Sequence, residues 1–217
     1  GRFNSIFGAN AGDAITTGFY NTALGYEALS SNQTSNNNVA VGYQALRNNT
    51  AANNVAVGTQ TMDANTSGEQ NTAVGREALN ANTEADNNVA LGYRALKANT
   101  TGASNVAIGS QALDANTTAS NNTAVGDSSL TSNTEGTGNT AAGKDSLKDN
   151  STGNNNSAFG ENALANNTTA SSNSAFGQNA LLTSTTAANN TAIGHDAMRL
   201  TTTGGNNVAV GLDTLRS

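Results

Sequence analysis

A glycine recurs along the whole chain at a nearly constant interval, and this period limits the folds that the sequence can adopt. Of the twelve gaps between thirteen glycines, eleven are 17 residues and one, from Gly42 to Gly58, is 16 residues. Such a unit cannot hold two helices and a turn, because helical repeats need about 33 residues or more. The period therefore predicts a β-solenoid in which each repeat forms one coil. We call these residues the column glycines: Gly8, Gly25, Gly42, Gly58, Gly75, Gly92, Gly109, Gly126, Gly143, Gly160, Gly177, Gly194 and Gly211.

The residues before each column glycine predict a short strand that ends there. The residue two positions before it is Ala in every repeat except the first, which has Ile6, and the residue one position before it is always apolar. The residue three positions before it is Val, Thr or Ser in most repeats, as is typical of strands. We expect each strand to pair in parallel with its copy in the next coil. This predicts an all-β, parallel β-solenoid of about thirteen coils, a single repeat domain over residues 1–217 and on the order of 60 Å long.

Asparagine stands in two further columns, and stacked asparagine side chains can hydrogen-bond from one coil to the next. We therefore predict a structural ladder, and we expect the glycines from Gly25 onward to end each strand in a conformation that a Cβ would obstruct. The strand asparagines lie four positions before each column glycine and are Asn4, Asn21, Asn38, Asn54, Asn71, Asn88, Asn105, Asn122, Asn139, Asn156, Asn173, Asn190 and Asn207. The turn asparagines lie seven positions after it and are Asn32, Asn49, Asn65, Asn82, Asn99, Asn116, Asn133, Asn150 and Asn167, with Ser184 and Thr201 in the last two places.

The pattern also predicts which residues are buried. Leu or Met follows each column glycine by four positions from Leu29 to Leu215, although Gly12 stands there in the first repeat. We expect this leucine column and the apolar residue just before each glycine to be buried, and the two residues after each glycine to be exposed. The constant Ala predicts close packing, against either the opposite wall of its own coil or a neighbouring chain. The missing residue of the 16-residue repeat, between Thr50 and Asn54, predicts a surface turn there.

Composition excludes several classes of function. The chain has 217 residues, no Cys, 11% charged residues and a formal net charge of -6. Without Cys there is no thiol nucleophile, disulfide or thiolate metal site. Nine Lys and Arg residues spread along the chain cannot form a basic stripe, so we expect no nucleic-acid partner. No apolar run approaches the roughly 18 residues of a membrane span, so we expect no membrane insertion.

Two local motifs resemble functional sites. Residues 138–144 resemble a phosphate-binding loop, but Gly143 is a column glycine, Asp145 stands where Ser or Thr would hold magnesium, and no helix is predicted to follow. His195 is the only histidine, and we expect it to form an exposed turn pair with Asp196. We therefore predict a non-enzymatic protein with no catalytic, cofactor-binding or metal site.

The strand motifs resemble those of two groups of surface proteins. Residues 54–58 and 105–109, N-V-A-V-G and N-V-A-I-G, resemble the N-S-V-A-I-G core of YadA-like heads in trimeric autotransporter adhesins, whose coil is typically about 14 residues. That resemblance implies a left-handed β-roll and a homotrimer. Residues 71–75 and 93–102 are more similar to the N-T-A-V-G-Y-x-A-L arrays of phage tail-fibre-like and bacterial surface proteins.

These observations favour a structural element of an extracellular fibre or filament, such as a phage tail fibre, a surface adhesin or a filament shaft. The expected partners are copies of the chain itself, as a homotrimer, stacked end to end, or both, and a glycan or protein on a host surface. Neither terminus carries residues that would cover an open solenoid edge, so we expect the native object to be longer than this chain.

Two alternative functions remain open. An ice-binding solenoid would need a flat threonine array, and a carbohydrate-binding or carbohydrate-cleaving solenoid would need a cleft of carboxylates or aromatic residues. A threonine column, eight positions after the column glycine, invites the first alternative: Thr50, Thr66, Thr83, Thr100, Thr117, Thr134, Thr168, Thr185 and Thr202.

Overall fold

The computed structural model describes residues 3–216, and this part of the chain is a parallel β-solenoid with no α-helix. It makes about twelve turns of about 17 residues, which confirms the predicted fold class. The thirteen strands are β1 (Ser5–Phe7), β2 (Thr22–Leu24), β3 (Val39–Val41), β4 (Val55–Val57), β5 (Thr72–Val74), β6 (Val89–Leu91), β7 (Val106–Ile108), β8 (Thr123–Val125), β9 (Thr140–Ala142), β10 (Ser157–Phe159), β11 (Ser174–Phe176), β12 (Thr191–Ile193) and β13 (Val208–Val210).

The strands form one parallel sheet in which the order in space equals the order in the sequence. Each strand pairs with the equivalent residues of the next, so that Ala107 in β7 lies beside Ala124 in β8. This register holds from β1 to β13, including the pair that flanks the 16-residue repeat. Residues at the same place in the repeat therefore stack into columns that run along the rod.

Left-handed turns close each coil between successive strands. In the eighth coil Ser128 has φ 56° and Leu130 has φ 51°, and Asn121, just before the strand asparagine, has φ 63°. Positive φ is uncommon for residues other than glycine and costs about 1–2 kcal/mol per residue. Hydrogen bonds to the next coil, such as that from the Leu130 N–H to the Ser146 carbonyl at 3.0 Å, hold these turns in place.

The apolar core is a narrow strip inside the coils. The leucine column is fully buried from Leu29 to Met198, as predicted, but Leu215 in the last coil is exposed because no further coil covers it. The strand alanines from Ala23 to Ala192 are also buried and belong to the same core cluster. Of the two packing partners predicted for these alanines, the structure shows the opposite wall of the same coil.

The prediction that the apolar residue before each column glycine is buried is wrong. These third residues of the strands point outward, and Val125, Phe176 and Ile193 are 39%, 40% and 43% exposed. Successive side chains of a strand lie on opposite faces, so only one of Ala and its apolar neighbour can face inward. The leucine column already fills the interior from the other side, and the remaining space admits only a methyl group.

The prediction for the two residues after each column glycine holds only in part. The first residue is exposed in many coils, as at Tyr26 and Tyr43. The second lies nearer the coil wall, and Gln44 and Asp196 are buried at 8% and 4% exposure. Its left-handed backbone turns the side chain along the wall toward the neighbouring coils, where it contacts equivalent residues.

The 16-residue repeat keeps the pattern by shortening one turn. Asn38 and Asn49 both donate through Nδ2 to the carbonyl of Ala51, at 2.9 Å and 2.7 Å. In other coils the same acceptor is the residue ten positions after the column glycine, whereas Ala51 is nine positions after Gly42. The missing residue thus lies between Thr50 and Ala51, within the predicted turn.

Candidate functional site

The interior of nine successive coils, from that of Asn32 to that of Asn167, carries two asparagine side chains that meet at one backbone carbonyl. In the eighth coil the strand asparagine Asn122 donates through Nδ2 to the Gly136 carbonyl at 2.8 Å. The turn asparagine Asn133 donates to the same oxygen at 2.9 Å. The two side chains come from opposite walls of the coil, so their hydrogen bonds to one carbonyl connect the two walls across the interior.

The strand asparagines also link each coil to the next. Oδ1 of Asn105 accepts a hydrogen bond from the backbone N–H of Asn122 at 3.0 Å, and Oδ1 of Asn122 accepts one from Asn139 at 2.9 Å. The same bond joins every successive pair from Asn4 to Asn207. Asn207 is half-buried, and the others from Asn21 to Asn190 are buried.

The turn asparagines form a second ladder, built from side chains alone. Nδ2 of Asn133 donates to Oδ1 of Asn116 at 3.1 Å, and Nδ2 of Asn150 donates to Oδ1 of Asn133 at 2.9 Å. Each turn asparagine from Asn49 to Asn167 is fully buried. Amide groups in such a stack satisfy one another, which offsets the cost of removing them from water.

This second ladder ends where the sequence changes from Asn to Ser. Ser184 stands in the place of the next asparagine, and its Oγ donates to the Ala187 carbonyl at 3.3 Å. Within residues 3–216, the buried Oδ1 of Asn167 therefore has no hydrogen-bond donor. The serine side chain is too short to contact Oδ1 of Asn167 in the preceding coil while it also donates to the Ala187 carbonyl.

The column glycines lie where two coils approach most closely. All twelve from Gly25 to Gly211 have φ between 126° and 139°. A Cβ on Gly126 would lie 2.5 Å from the carbonyl oxygen of Gly143 in the next coil. No side chain fits in that space, so the glycines allow both the sharp turn after the strand and the coil spacing.

The threonine column uses its hydroxyl groups to join coils. Oγ1 of Thr100 donates to the Thr117 carbonyl at 3.0 Å, and Oγ1 of Thr66 donates to the Thr83 carbonyl at 2.9 Å. Equivalent bonds occur at Thr50, Thr134 and Thr168. Six of the nine threonine hydroxyls, including that of Thr83, thus donate to a backbone carbonyl, whereas ice binding would need a flat array of free hydroxyl groups.

Charged side chains form ion pairs between neighbouring coils on the turn walls. Glu77 lies 2.7 Å from the Lys97 ammonium and 3.0 Å from the Arg76 guanidinium, and the hydrogen bond from Lys97 holds the pKa of the Glu77 carboxyl below its ordinary value. Arg47 contacts Asp63 at 2.9 Å, but burial still raises the pKa of that carboxyl. These pairs are partly exposed, and they act mainly as links between coils.

The two motifs that resemble functional sites are part of the repeat. Residues 138–144 include strand β9, and the N–H groups of Thr140 and Gly143 already donate to the carbonyls of Asn156 and Val125. They are thus not free to surround a phosphate.

His195 lies beside Asp196, with Nδ1 3.8 Å from a carboxylate oxygen, but the pair is not exposed on both sides as the sequence predicts. The imidazole is half-exposed, but Asp196 is buried, and a hydrogen bond from Asn179 lowers the pKa of its carboxyl. The acidic oxygens of Asp196 and Asp213 come close to His195, but Arg216 lies 3.5 Å from one and 3.0 Å from the other. Arg199 also lies 3.5 Å from Asp196. The two guanidinium groups balance the two carboxylates, so this cluster is an ion-pair network.

A polar surface groove lies over the first coils. It has a volume of about 600 Å³, and its lining includes Asp13, Glu27, Ser30 and Arg47. Arg47 and Glu27 are 3.9 Å apart. On the coil edge beside Glu27, Tyr26 stacks on the ring of Tyr43 with centroids 5.6 Å apart.

The tyrosine rings of that pair face each other along the rod. Tyr26 and Tyr43 are 44% and 47% exposed. Tyr93 in the same column lies near the guanidinium of Arg76, which is 6.0 Å from its ring centroid. The sequence pattern does not single out Asp13 or Glu27, because the groove depends on the first coil, which departs from the repeat at Gly12. Tyr26, Tyr43 and Tyr93 share one repeat column, but three tyrosines in thirteen repeats are too few to predict a binding strip.

Comparison of the chain with protein-family models, curated proteins and solved structures finds no match. Within the described residues, no helix is present that could cross a membrane. The main features of the rod are the two asparagine ladders, the glycine column and the outward face of the sheet.

Proposed function

We propose that this chain is a non-enzymatic structural element of an extracellular fibre or filament, such as a phage tail fibre, a surface adhesin or a filament shaft. The observation that supports this proposal is the unbroken repetition of one coil-to-coil junction. The backbone-to-Oδ1 bond of the strand asparagines recurs at all twelve junctions, from Asn4 to Asn207. A rod braced in this way along its axis resists bending and local opening, which suits a shaft.

The partners in this proposal are copies of the chain and a glycan or protein on a host surface. The homotrimer rests on the resemblance to YadA-like heads, and the extracellular location rests on the resemblance to surface and tail-fibre arrays. The sequence supports self-association independently, since a repeated surface offers the same contacts many times along the rod.

Immunogold electron microscopy with an antibody against the repeat tests the proposal on the cells or particles that carry the protein. We expect label on external appendages, and rods on the order of 60 Å in images of the isolated chain. Label confined to the cell interior would contradict the extracellular fibre.

The polar groove beside Glu27 favours one second candidate, a carbohydrate-binding solenoid. The groove combines carboxylate, hydroxyl and guanidinium groups next to a stacked tyrosine pair, the kinds of group that bind sugars. A glycan array compares the two proposals. Binding that Arg47→Ala abolishes would support the groove, and equal binding by wild type and variant would exclude it.

A further inference from the structure

The outward face of the sheet differs from every other surface of the rod. We define the outer strand face as the first and third residues of each strand from β1 to β13. Its members are Val, Ile, Leu, Phe, Ala, Thr and Ser, as in the pairs Val106 with Ile108 and Ser157 with Phe159. None of the 24 charged residues of the chain lies in the six positions that end at a column glycine. The charged residues within 3–216 all lie on the turn walls.

The third residues of the strands make this face apolar as well as uncharged. Leu24, Val74, Ile108, Phe159 and Ile193 are between 37% and 44% exposed. Phe159 and Phe176 stack in neighbouring coils with centroids 5.0 Å apart. The third residue is apolar in all thirteen strands, and Ala142 in β9 is the smallest of them. The whole outer strand face is on the order of 60 Å long and about 10 Å wide, roughly 600 Å². This area includes the first residues of the strands, which are Thr or Ser in eight of the thirteen strands and Val in the other five.

An apolar strip of this size is at the upper end of what monomeric proteins expose, and such strips mark interaction sites. A standard interface buries about 800 Å² on each partner, so the strip and its neutral margins are large enough for a stable contact. The sequence selects apolar residues at a place where the interior does not require them. Their function must therefore lie outside the coil.

We propose that the outer strand face docks along its length on the outer strand face of a second copy of this chain. This inference rests on the proposed structural function and names the surface involved. A partner that covers the whole strip must present apolar columns with the same spacing of about 4.8 Å over about 60 Å, and a second copy does so. The net charge of -6 makes copies repel one another, and only this face brings them together without placing charges opposite charges.

Sedimentation equilibrium of the full chain, from micromolar to millimolar concentration, tests the docking. We expect wild type to associate and the double variant Val74→Lys, Val125→Lys to be monomeric or to dissociate at about a hundredfold higher concentration, because association would bury two unpaired ammonium groups per chain in an apolar contact. The side chains point outward, so far-UV circular dichroism of the variant should match wild type.

A matched control places the same two charges on another wall. Thr101 and Thr152 are exposed turn residues separated by the same 51 positions as Val74 and Val125. Thr101→Lys, Thr152→Lys should associate like wild type. A monomeric wild type, or equal association of the two double variants, would overturn the inference. The fibre proposal would survive that result if immunogold label still lies on appendages, so the two failures are distinguishable.

Discussion

At the scale of single residues, the buried asparagines connect the fold in two directions. Oδ1 of a strand asparagine binds the backbone of the next coil, while its Nδ2 crosses the interior to a carbonyl. A buried polar group that loses its partner costs about 1–3 kcal/mol. The ladders therefore hold the register of the coils, which a core of Ala and Leu alone would specify weakly.

Removing one strand asparagine should destabilise the rod. Asn122→Leu leaves the buried N–H of Asn139 without its acceptor, so we expect a loss of about 1–3 kcal/mol in the free energy of unfolding. Denaturant titration measures the loss. The control Asn121→Gly changes the exposed neighbour and keeps its φ of 63°, so it should cost under about 1 kcal/mol. Equal losses would contradict the role of the ladder.

Extending the second ladder should stabilise the rod. Ser184→Asn supplies a donor to the unpaired Oδ1 of Asn167, and we expect a gain of about 0.5–1.5 kcal/mol. Thermal unfolding compares it with Thr186→Asn, which makes the same type of change at an exposed turn position. A variant at position 184 that is no more stable than the control would show that the unpaired oxygen carries little cost.

At the scale of the coil, the glycine after each strand sets the distance between neighbours. Gly126 has φ 137° and lies against the Gly143 carbonyl, so Gly126→Ala should cost about 3 kcal/mol or more. Gly204→Ala is the matched control, because the nearest atom to its new Cβ is 3.4 Å away and alanines such as Ala187 occupy the equivalent place. Thermal unfolding compares the two variants. Equal melting temperatures would show that the column glycines are not required for the spacing between coils.

Ion pairs between coils should make stability depend on pH. The pKa of Glu77 is lower in the folded chain than its ordinary 4.5, so its ionised form stabilises the fold above that pH. The contribution is lost as the pH falls through the folded-state pKa. We expect the difference in unfolding free energy between wild type and Glu77→Gln to be largest near about pH 7 and to vanish in acid.

A double-mutant cycle identifies the partner responsible. In a Lys97→Met background, Glu77→Gln should have a smaller and less pH-dependent effect, because the 2.7 Å contact is already absent. An unchanged effect would assign the pH dependence to Arg76 instead.

At the scale of the whole molecule, stability should be a sum over coils and their junctions. Deleting residues 93–109 joins Gly92 to Ser110 and keeps every column in register. We expect a folded rod that is shorter by about 4.8 Å, measured by small-angle X-ray scattering. Deleting only residues 93–100 puts the columns out of register and should reduce the strand signal in circular dichroism. Similar spectra for both deletions would argue against one coil per repeat.

The architecture could be predicted from the sequence because the repeat in the sequence has the same length as the repeat in the structure. The 17-residue spacing implied parallel pairing of identical segments, and the invariant Asn and Gly columns marked the ladders and the strand ends. These features depend on which residues recur, and recurrence is visible without knowing what packs against what.

Which strand residues face the interior and which face solvent could be seen only in the tertiary structure. Alternation along a strand shows that Ala124 and Val125 lie on opposite faces, but it does not say which face is inside. The usual preference for burying the larger residue gives the wrong answer here, because Leu130 enters the same narrow interior from a left-handed turn. The width of the interior is set only when the coil closes. It leaves room for the methyl group of Ala124, so the larger apolar residues of the strands lie on the outside.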